Sequence, residues 1–129
     1  MKKFFLIDDD SIFVFLTKKI MQVVNLSTDI TVFEDANVAL SKLETLSDDP
    51  DALPDVIFVD LNMPAMDGWG FLTKYLLLEP LMRKKISIYI VSSSISPSEL
   101  ERSKSIPVVT DFLTKPLSRN KFVEIFGTA

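Results

Sequence analysis

The stretch Phe4-Phe5-Leu6-Ile7-Asp8-Asp9-Asp10 runs four apolar residues straight into three aspartates. Such a short run, rich in aromatic and branched side chains, reads as a strand buried on both faces, as in a parallel sheet. The pattern recurs along the chain. Ile30 to Phe33 is a second apolar run, and Val56 to Val59 is a third that ends at Asp60. Ile88 to Val91 ends at Ser92, and Val108 to Leu113 leads into Thr114-Lys115-Pro116. Between the runs, apolar residues fall at helical spacing. They are Phe13, Leu16, Ile20, Val23 and Val24, then Ala36, Ala39, Leu40, Leu43 and Leu46, then Phe71, Leu72, Tyr75, Leu76 and Leu78. Phe122, Ile125 and Phe126 give a last short helix. Alternating strands and helices of this kind define an α/β fold of five β-α units.

Helix boundaries carry their own signals. Asp35 is placed to cap the second helix, and Ser96-Pro97-Ser98-Glu99 has capping-box spacing with proline at the first helical position. The body of that fourth helix offers only Leu100 as an apolar anchor, so it is expected to be the most mobile of the helices. The acidic stretch Ser47-Asp48-Asp49-Pro50-Asp51 reads as a solvated loop. Pro64 and Gly68 read as turn formers shaping the loop after Asp60.

Composition narrows the chemistry. The 129 residues suit one domain spanning 1–129 and leave no room for an output domain. Cysteine and histidine are both absent, which removes thiolate chemistry, Ser-His-Asp triads and histidine-zinc sites. The 14 basic and 18 acidic residues give a net charge of −4, the wrong sign for a nucleic-acid binder. The apolar run after Met1-Lys2-Lys3 is too short for a secretory signal, and no segment approaches membrane-spanning length, so a cytoplasmic protein is expected.

What remains is carboxylate, hydroxyl and ammonium chemistry, and its placement is informative. In open parallel sheets, ligands sit beyond the carboxyl ends of the strands. Asp8, Asp9, Asp10 and Asp60 converge there if the first and third strands are neighbours. Clustered carboxylates repel one another unless a cation compensates, and an all-oxygen set suits Mg²⁺. Ser92 and Lys115 end later strands on the same edge. A hydroxyl and an ammonium beside a carboxylate-bound cation form a cradle for a phosphoryl group, and aspartate itself can be the nucleophile. Each residue alone has an ordinary explanation: a turn aspartate, a loop hydroxyl, a surface lysine. Their joint placement at strand ends makes the set read as a phosphoryl-transfer site.

The chain resembles a response-regulator receiver domain of two-component signalling. The likeness rests on Phe5-Leu6-Ile7-Asp8-Asp9-Asp10, Val59-Asp60-Leu61-Asn62-Met63-Pro64-Ala65-Met66-Asp67-Gly68, Ile90-Val91-Ser92-Ser93 and Phe112-Leu113-Thr114-Lys115-Pro116. It implies a flavodoxin-like, doubly wound sheet of strand order 2-1-3-4-5 with five helices. By the same resemblance Asp60 is the phosphoacceptor. Asp8 and Asp9 are the acidic pair, Asp9 binding Mg²⁺ directly and Asp8 largely through water, and the backbone carbonyl of Asn62 joins them and Asp60 around the ion. Lys115 pairs with the phosphoryl group across a cis Lys115-Pro116 bond, Ser92 is the switch hydroxyl, and Phe112 is the aromatic that turns inward. Asn62 and Ser94 fall where the family tunes dephosphorylation. The implied partner is a histidine kinase or histidine phosphotransfer protein, with an unidentified protein downstream; the domain assists its own phosphorylation and is otherwise not an enzyme. On the first helix, with Phe13, Leu16 and Ile20 toward the sheet, Phe15 faces away and Val14 lies at the flank; this pair is expected to help dock the phosphodonor.

Two alternatives come from other classes. Asp8 and Asp10 have the DxD spacing of haloacid-dehalogenase-type phosphatases, with Asp8 as nucleophile and Asp10 as acid. The chain is short for that fold, however, and leaves Asp60 and Lys115 without a role. A receiver-like module that is never phosphorylated is the other. A flavin-binding flavodoxin fits less well, because no Gly/Ser/Thr-rich phosphate loop follows the first strand.

Overall fold

The computed structural model describes residues 2–24, 28–63, 66–94 and 96–127. Five strands alternate with five helices: β1 (Lys2–Ile7), α1 (Ser11–Val23), β2 (Thr28–Phe33), α2 (Ala36–Leu46), β3 (Val56–Asp60), α3 (Gly68–Leu78), β4 (Ser87–Ser92), α4 (Pro97–Lys104), β5 (Val109–Thr114) and α5 (Arg119–Phe126). A short 3-10 turn, Glu79–Leu81, follows α3. All neighbouring strands are parallel, and their order is β2-β1-β3-β4-β5. The chain is therefore a flavodoxin-like α/β fold. Pro64, read from sequence as a turn former, lies outside the described residues.

The period of two along β1 divides the interior into two layers. Phe5 and Ile7 face the layer closed by Ala39, Leu40 and Leu43 of α2 and by Phe71, Leu72 and Tyr75 of α3, with Leu100 of α4 at its margin. Phe4 and Leu6 face the other layer, closed by Phe13 and Met21 of α1 and Phe122 and Phe126 of α5. In that second layer Phe4 meets Phe58 edge-to-face, with ring centroids 4.8 Å apart and planes at 75°. Phe4 also packs on Phe126 at 4.9 Å. Such pairs add about 0.5–1.5 kcal/mol each beyond the area they bury. They fasten the C-terminal helix beneath the central strands.

Every helix starts on a side-chain cap. The Asp10 carboxylate accepts from the Ile12 and Phe13 amides, Asp35 from Asn37, Asp67 from Gly70 and Ser118 from Lys121. Ser96 and Glu99 form the reciprocal box expected from their spacing, with Pro97 in the first turn. Each cap is worth about 1 kcal/mol. All five caps end loops at the carboxyl edge of the sheet, and those of α1 and α3 fix the loops that carry the acids.

Two expectations are corrected. Burial on both faces holds for the central strands but fails at the edges, where Asp29 and Thr31 of β2 and Thr110, Asp111 and Thr114 of β5 are exposed. An edge strand has a neighbour on one side only, and its helix cover is incomplete. On α1, Leu16 does not face the sheet: it is 43% exposed, and the fully buried positions are Phe13, Thr17 and Met21, with Ile20 half-buried. The i, i+4 row through Phe13, Thr17 and Met21 points at the sheet, which turns Leu16 to the rim of the stripe.

Candidate functional site at the carboxyl edge of the sheet

Pairing of β1 with β3 sets Ile7 opposite Val59, so the residues that follow, Asp8 and Asp60, emerge side by side. Both are buried, at 1% and 6% exposure. Asp9 is exposed beside them, and one carboxylate oxygen from each of Asp8, Asp9 and Asp60 lies within 4.8 Å of the others. Octahedral ligands at about 2.0–2.1 Å from Mg²⁺ stand about 2.9 Å apart when adjacent and about 4.2 Å when opposite. The three acids are therefore close enough to share one such ion once their side chains close in on it. Their donor set, carboxylate oxygens alone, fits a hard divalent cation.

Lys115 reaches into the same space from the loop after β5. Its ammonium nitrogen stands 2.8 Å from Asp8 Oδ2, 3.6 Å from Asp60 Oδ2 and 3.6 Å from Asp10 Oδ2. It also lies over the Phe13 ring, 4.5 Å from the centroid. The Lys115-Pro116 peptide bond is cis. The Lys115 amide donates to the Ser92 carbonyl at 2.8 Å, tying this loop to the end of β4.

Burial pushes the Asp8 carboxyl up to about 6, with the negative charge of Asp60 adding to the effect and the Lys115 ammonium and the Asp10 amide opposing it. The Lys115 value is raised as well. Its burial favours the neutral amine, but Asp8, Asp60 and Asp10 together outweigh burial and hold the ammonium protonated well into the alkaline range. The 2.8 Å contact between the two is a close, buried ion pair. Three carboxylates, Asp8, Asp10 and Asp60, face one ammonium, with Asp9 beside them, and the surplus negative charge is what a divalent cation would offset.

The remaining positions named from sequence fall around this centre. The Asn62 amide donates to Asp60 Oδ1 at 3.1 Å, turning the loop after β3 back over the acid. Ser92 is the last residue of β4 and is buried; its hydroxyl donates to the Ser94 carbonyl at 2.8 Å. Phe112 on β5 is buried in the layer of α2, α3 and α4. Val14 is half-buried against the α1-α5 layer, while Phe15 is 59% exposed. With Lys18 and Glu34 they line a depression of about 260 Å³ that reaches Asp8 and Asp9.

Sequence reasoning missed two contacts. Asp10 caps α1 with one oxygen and approaches Lys115 with the other, and Phe13 lies beneath the ammonium. The signal was present in part, since Phe13 stands three residues after a capping aspartate, in the turn nearest the acids.

Residues 4–126 match the family of the response regulator receiver domain. A protein-glutamate methylesterase/protein-glutamine glutaminase 1 of Geobacter metallireducens is 30% identical over 118 residues, which cover 88% of this chain. The chain spans 29% of the length of that relative. Among solved structures, a two-component response regulator from Cytophaga hutchinsonii superposes with a TM-score of 0.85 at 27% identity, covering 97% of this chain and 93% of its own. The Mn²⁺-bound form of the response regulator Rcp1 gives a TM-score of 0.82 at 18% identity, covering 100% and 97%. The protein belongs to the receiver-domain family of two-component response regulators.

Proposed function

We propose that this chain accepts a phosphoryl group on Asp60 from a phosphohistidine on a histidine kinase or histidine phosphotransfer protein. A carboxylate oxygen of Asp60 attacks phosphorus, the phosphorus–nitrogen bond to histidine breaks, and the imidazole leaves with the bonding pair. Acetyl phosphate can serve in place of the protein donor, with acetate leaving. Magnesium held by Asp8, Asp9, Asp60 and the carbonyl of Asn62 would screen the repulsion between the anionic donor and the acids. Lys115 supplies a fixed positive charge to the phosphoryl oxygens, and the buried walls around Asp60 keep bulk water away.

The acyl phosphate carries about −1.5 to −2 units of charge where the carboxylate carried −1, and it presents strong acceptor oxygens. Ser92 exchanges its bond to the Ser94 carbonyl for one to the phosphoryl group, Phe112 keeps the inward space filled, and α4 repacks. The altered surface then binds a downstream protein, or the phosphoryl group is passed on. Phosphohistidine donors of this kind act in the cytoplasm, and among the described residues no helix is long and apolar enough to cross a membrane. Val14 and Phe15 present apolar surface beside the acids, suited to docking the donor protein. Changing both to Ser should slow transfer from the partner while leaving labelling by acetyl phosphate intact.

The observation that carries the reading is the convergence of Asp8, Asp9 and Asp60 within 4.8 Å, with Lys115 standing over them. Intact-mass measurement after incubation with acetyl phosphate and Mg²⁺ tests it. One phosphoryl adduct on the native chain, absent without Mg²⁺ and absent from Asp60→Asn, is expected. An unmodified native chain, or an adduct that persists in Asp60→Asn, would overturn it.

A further inference from the structure

The Lys115 ammonium is held by more than its acids. Its nitrogen lies 4.5 Å from the centroid of Phe13, and the two side chains bury each other: Lys115 is 10% exposed and Phe13 is 5% exposed. The ring belongs to the first turn of α1, where the Phe13 amide donates to Asp10 Oδ1 at 3.2 Å. The other oxygen of Asp10 stands 3.6 Å from the ammonium. One capping aspartate thus locks the helix turn that carries the ring and at the same time faces the cation above it.

We propose that Phe13 is a positioning residue for Lys115, its ring face holding the ammonium over the pocket when bound cation and phosphoryl group redistribute the charge around it. This rests on the phosphoacceptor reading of Asp60. The physical case concerns what changes on binding. In the apo pocket, Asp8 and Asp60 attract the ammonium. A divalent cation bound to those same acids cancels much of that attraction and repels Lys115 directly. The attraction between a cation and an aromatic face does not depend on the carboxylates and is strongest where water is excluded, as it is here. It therefore persists at the moment the acids release their hold and before the phosphoryl oxygens take over. An aliphatic side chain of similar bulk would fill the same space without a negative face.

The test compares Phe13→Leu, which keeps apolar bulk, with Phe13→Tyr, which keeps the ring. The first readout is independent of chemistry. In NMR spectra of the Mg²⁺-loaded protein, the ε-methylene protons of Lys115 should be displaced upfield by the ring in the native chain and in Phe13→Tyr, and return toward ordinary lysine values in Phe13→Leu. The second is the labelling rate with acetyl phosphate at saturating Mg²⁺. It should fall about 3- to 30-fold in Phe13→Leu, the range a desolvated cation-aromatic contact implies, and stay near native in Phe13→Tyr. A purely structural role would change the melting temperature without this split between leucine and tyrosine. Should Phe13→Leu fail to fold, Phe13→Met serves in its place. Lysine shifts that are the same in all variants, or a labelling rate in Phe13→Leu within twofold of native, would overturn the proposal. Ring-displaced lysine signals in a native chain that takes no phosphoryl group would refute the Asp60 reading instead, and with it the role assigned to Phe13.

Discussion

Replacing Gly68 by alanine probes how tightly α3 is seated on the candidate acid. A Cβ at this position would lie 2.7 Å from the backbone oxygen of Asp60, 3.0 Å from Leu61 Cα and 3.1 Å from Leu61 Cδ2. No glycine among the described residues has a positive φ, so what glycine supplies here is space. Two of the three obstructing atoms are backbone, and the Gly68 amide is itself bonded to the Leu61 carbonyl at 3.1 Å, so the strand end and the helix start cannot separate freely. Overpacking of this kind costs about 1–3 kcal/mol, against a helix-propensity gain of less than 1 kcal/mol for alanine. A net loss of about 1–2 kcal/mol is expected. With an unfolding entropy of roughly 2.1 cal/mol/K per residue over 129 residues, that lowers the melting temperature by about 4–7 °C. Gly70→Ala is the control. There the near atom, at 2.9 Å, is Cγ of the flexible Met66 side chain, which can turn aside, so alanine should be neutral or slightly stabilising. Thermal unfolding followed by circular dichroism, with acetyl-phosphate labelling in parallel, reads both effects. Gly68→Ala should unfold earlier and label more slowly, since the displaced carbonyl belongs to Asp60 itself. Equal melting temperatures for the two variants, or a Gly68→Ala protein as stable as native, would refute the reasoning.

At the opposite end of the sheet, Asp55 pairs with Lys84 at 2.8 Å and accepts from the Lys3 amide at 2.8 Å. Partial burial favours its neutral form, but these partners outweigh burial and hold the carboxyl below its ordinary value of 3.8. A depressed folded-state value means that the stabilisation is complete above the ordinary value and disappears as pH falls through the folded one. Asp55→Asn should therefore be less stable than native by about 0.5–1 kcal/mol at pH 7, after allowance for solvent screening, and the gap should close under strongly acidic conditions; urea unfolding at the two pH values checks this, and a gap that widens in acid contradicts it. Within α4, the apolar anchor is Leu100, and the Arg102 guanidinium caps the Trp69 ring of α3 at 4.3 Å. Hydrogen exchange should find α4 the least protected helix, and Arg102→Gln should speed its exchange about 2- to 5-fold, as loss of a half-exposed cation-aromatic contact implies. Protection of α4 equal to that of α3 would contradict this.

Much of the fold is legible in the chain because its central strands are continuous apolar runs, each ending in a polar residue where the backbone leaves the sheet. Phe4 to Ile7 with Asp8, and Val56 to Val59 with Asp60, carry both the element and the direction of its carboxyl end. Once β1 and β3 pair, convergence of the acids follows from register alone. The orientation of α1 was less legible. Leu16 and Thr17 sit on adjacent positions near one edge of the helix, and hydropathy favours burying the leucine. Thr17 is buried instead, because the row through Phe13 and Met21 carries more bulk. The edge strands were over-read for a related reason: a short run such as Ile30-Thr31-Val32-Phe33 does not reveal that only one neighbouring strand will be present. Contacts between distant side chains, such as Phe13 beneath Lys115 or Arg102 over Trp69, leave no periodic trace. They arise from loop and helix placement in three dimensions, so only the folded chain displays them.

The central claim is that one particular carboxylate in the acid cluster becomes an acyl phosphate. Borohydride reduction after Mg²⁺-dependent labelling converts such an ester to the alcohol, and peptide mass spectrometry then locates it. The account predicts reduction at position 60, with Asp8 and Asp9 recovered as aspartate. Reduction at Asp8, as a phosphatase-type nucleophile would give, or at none of the three, would contradict it.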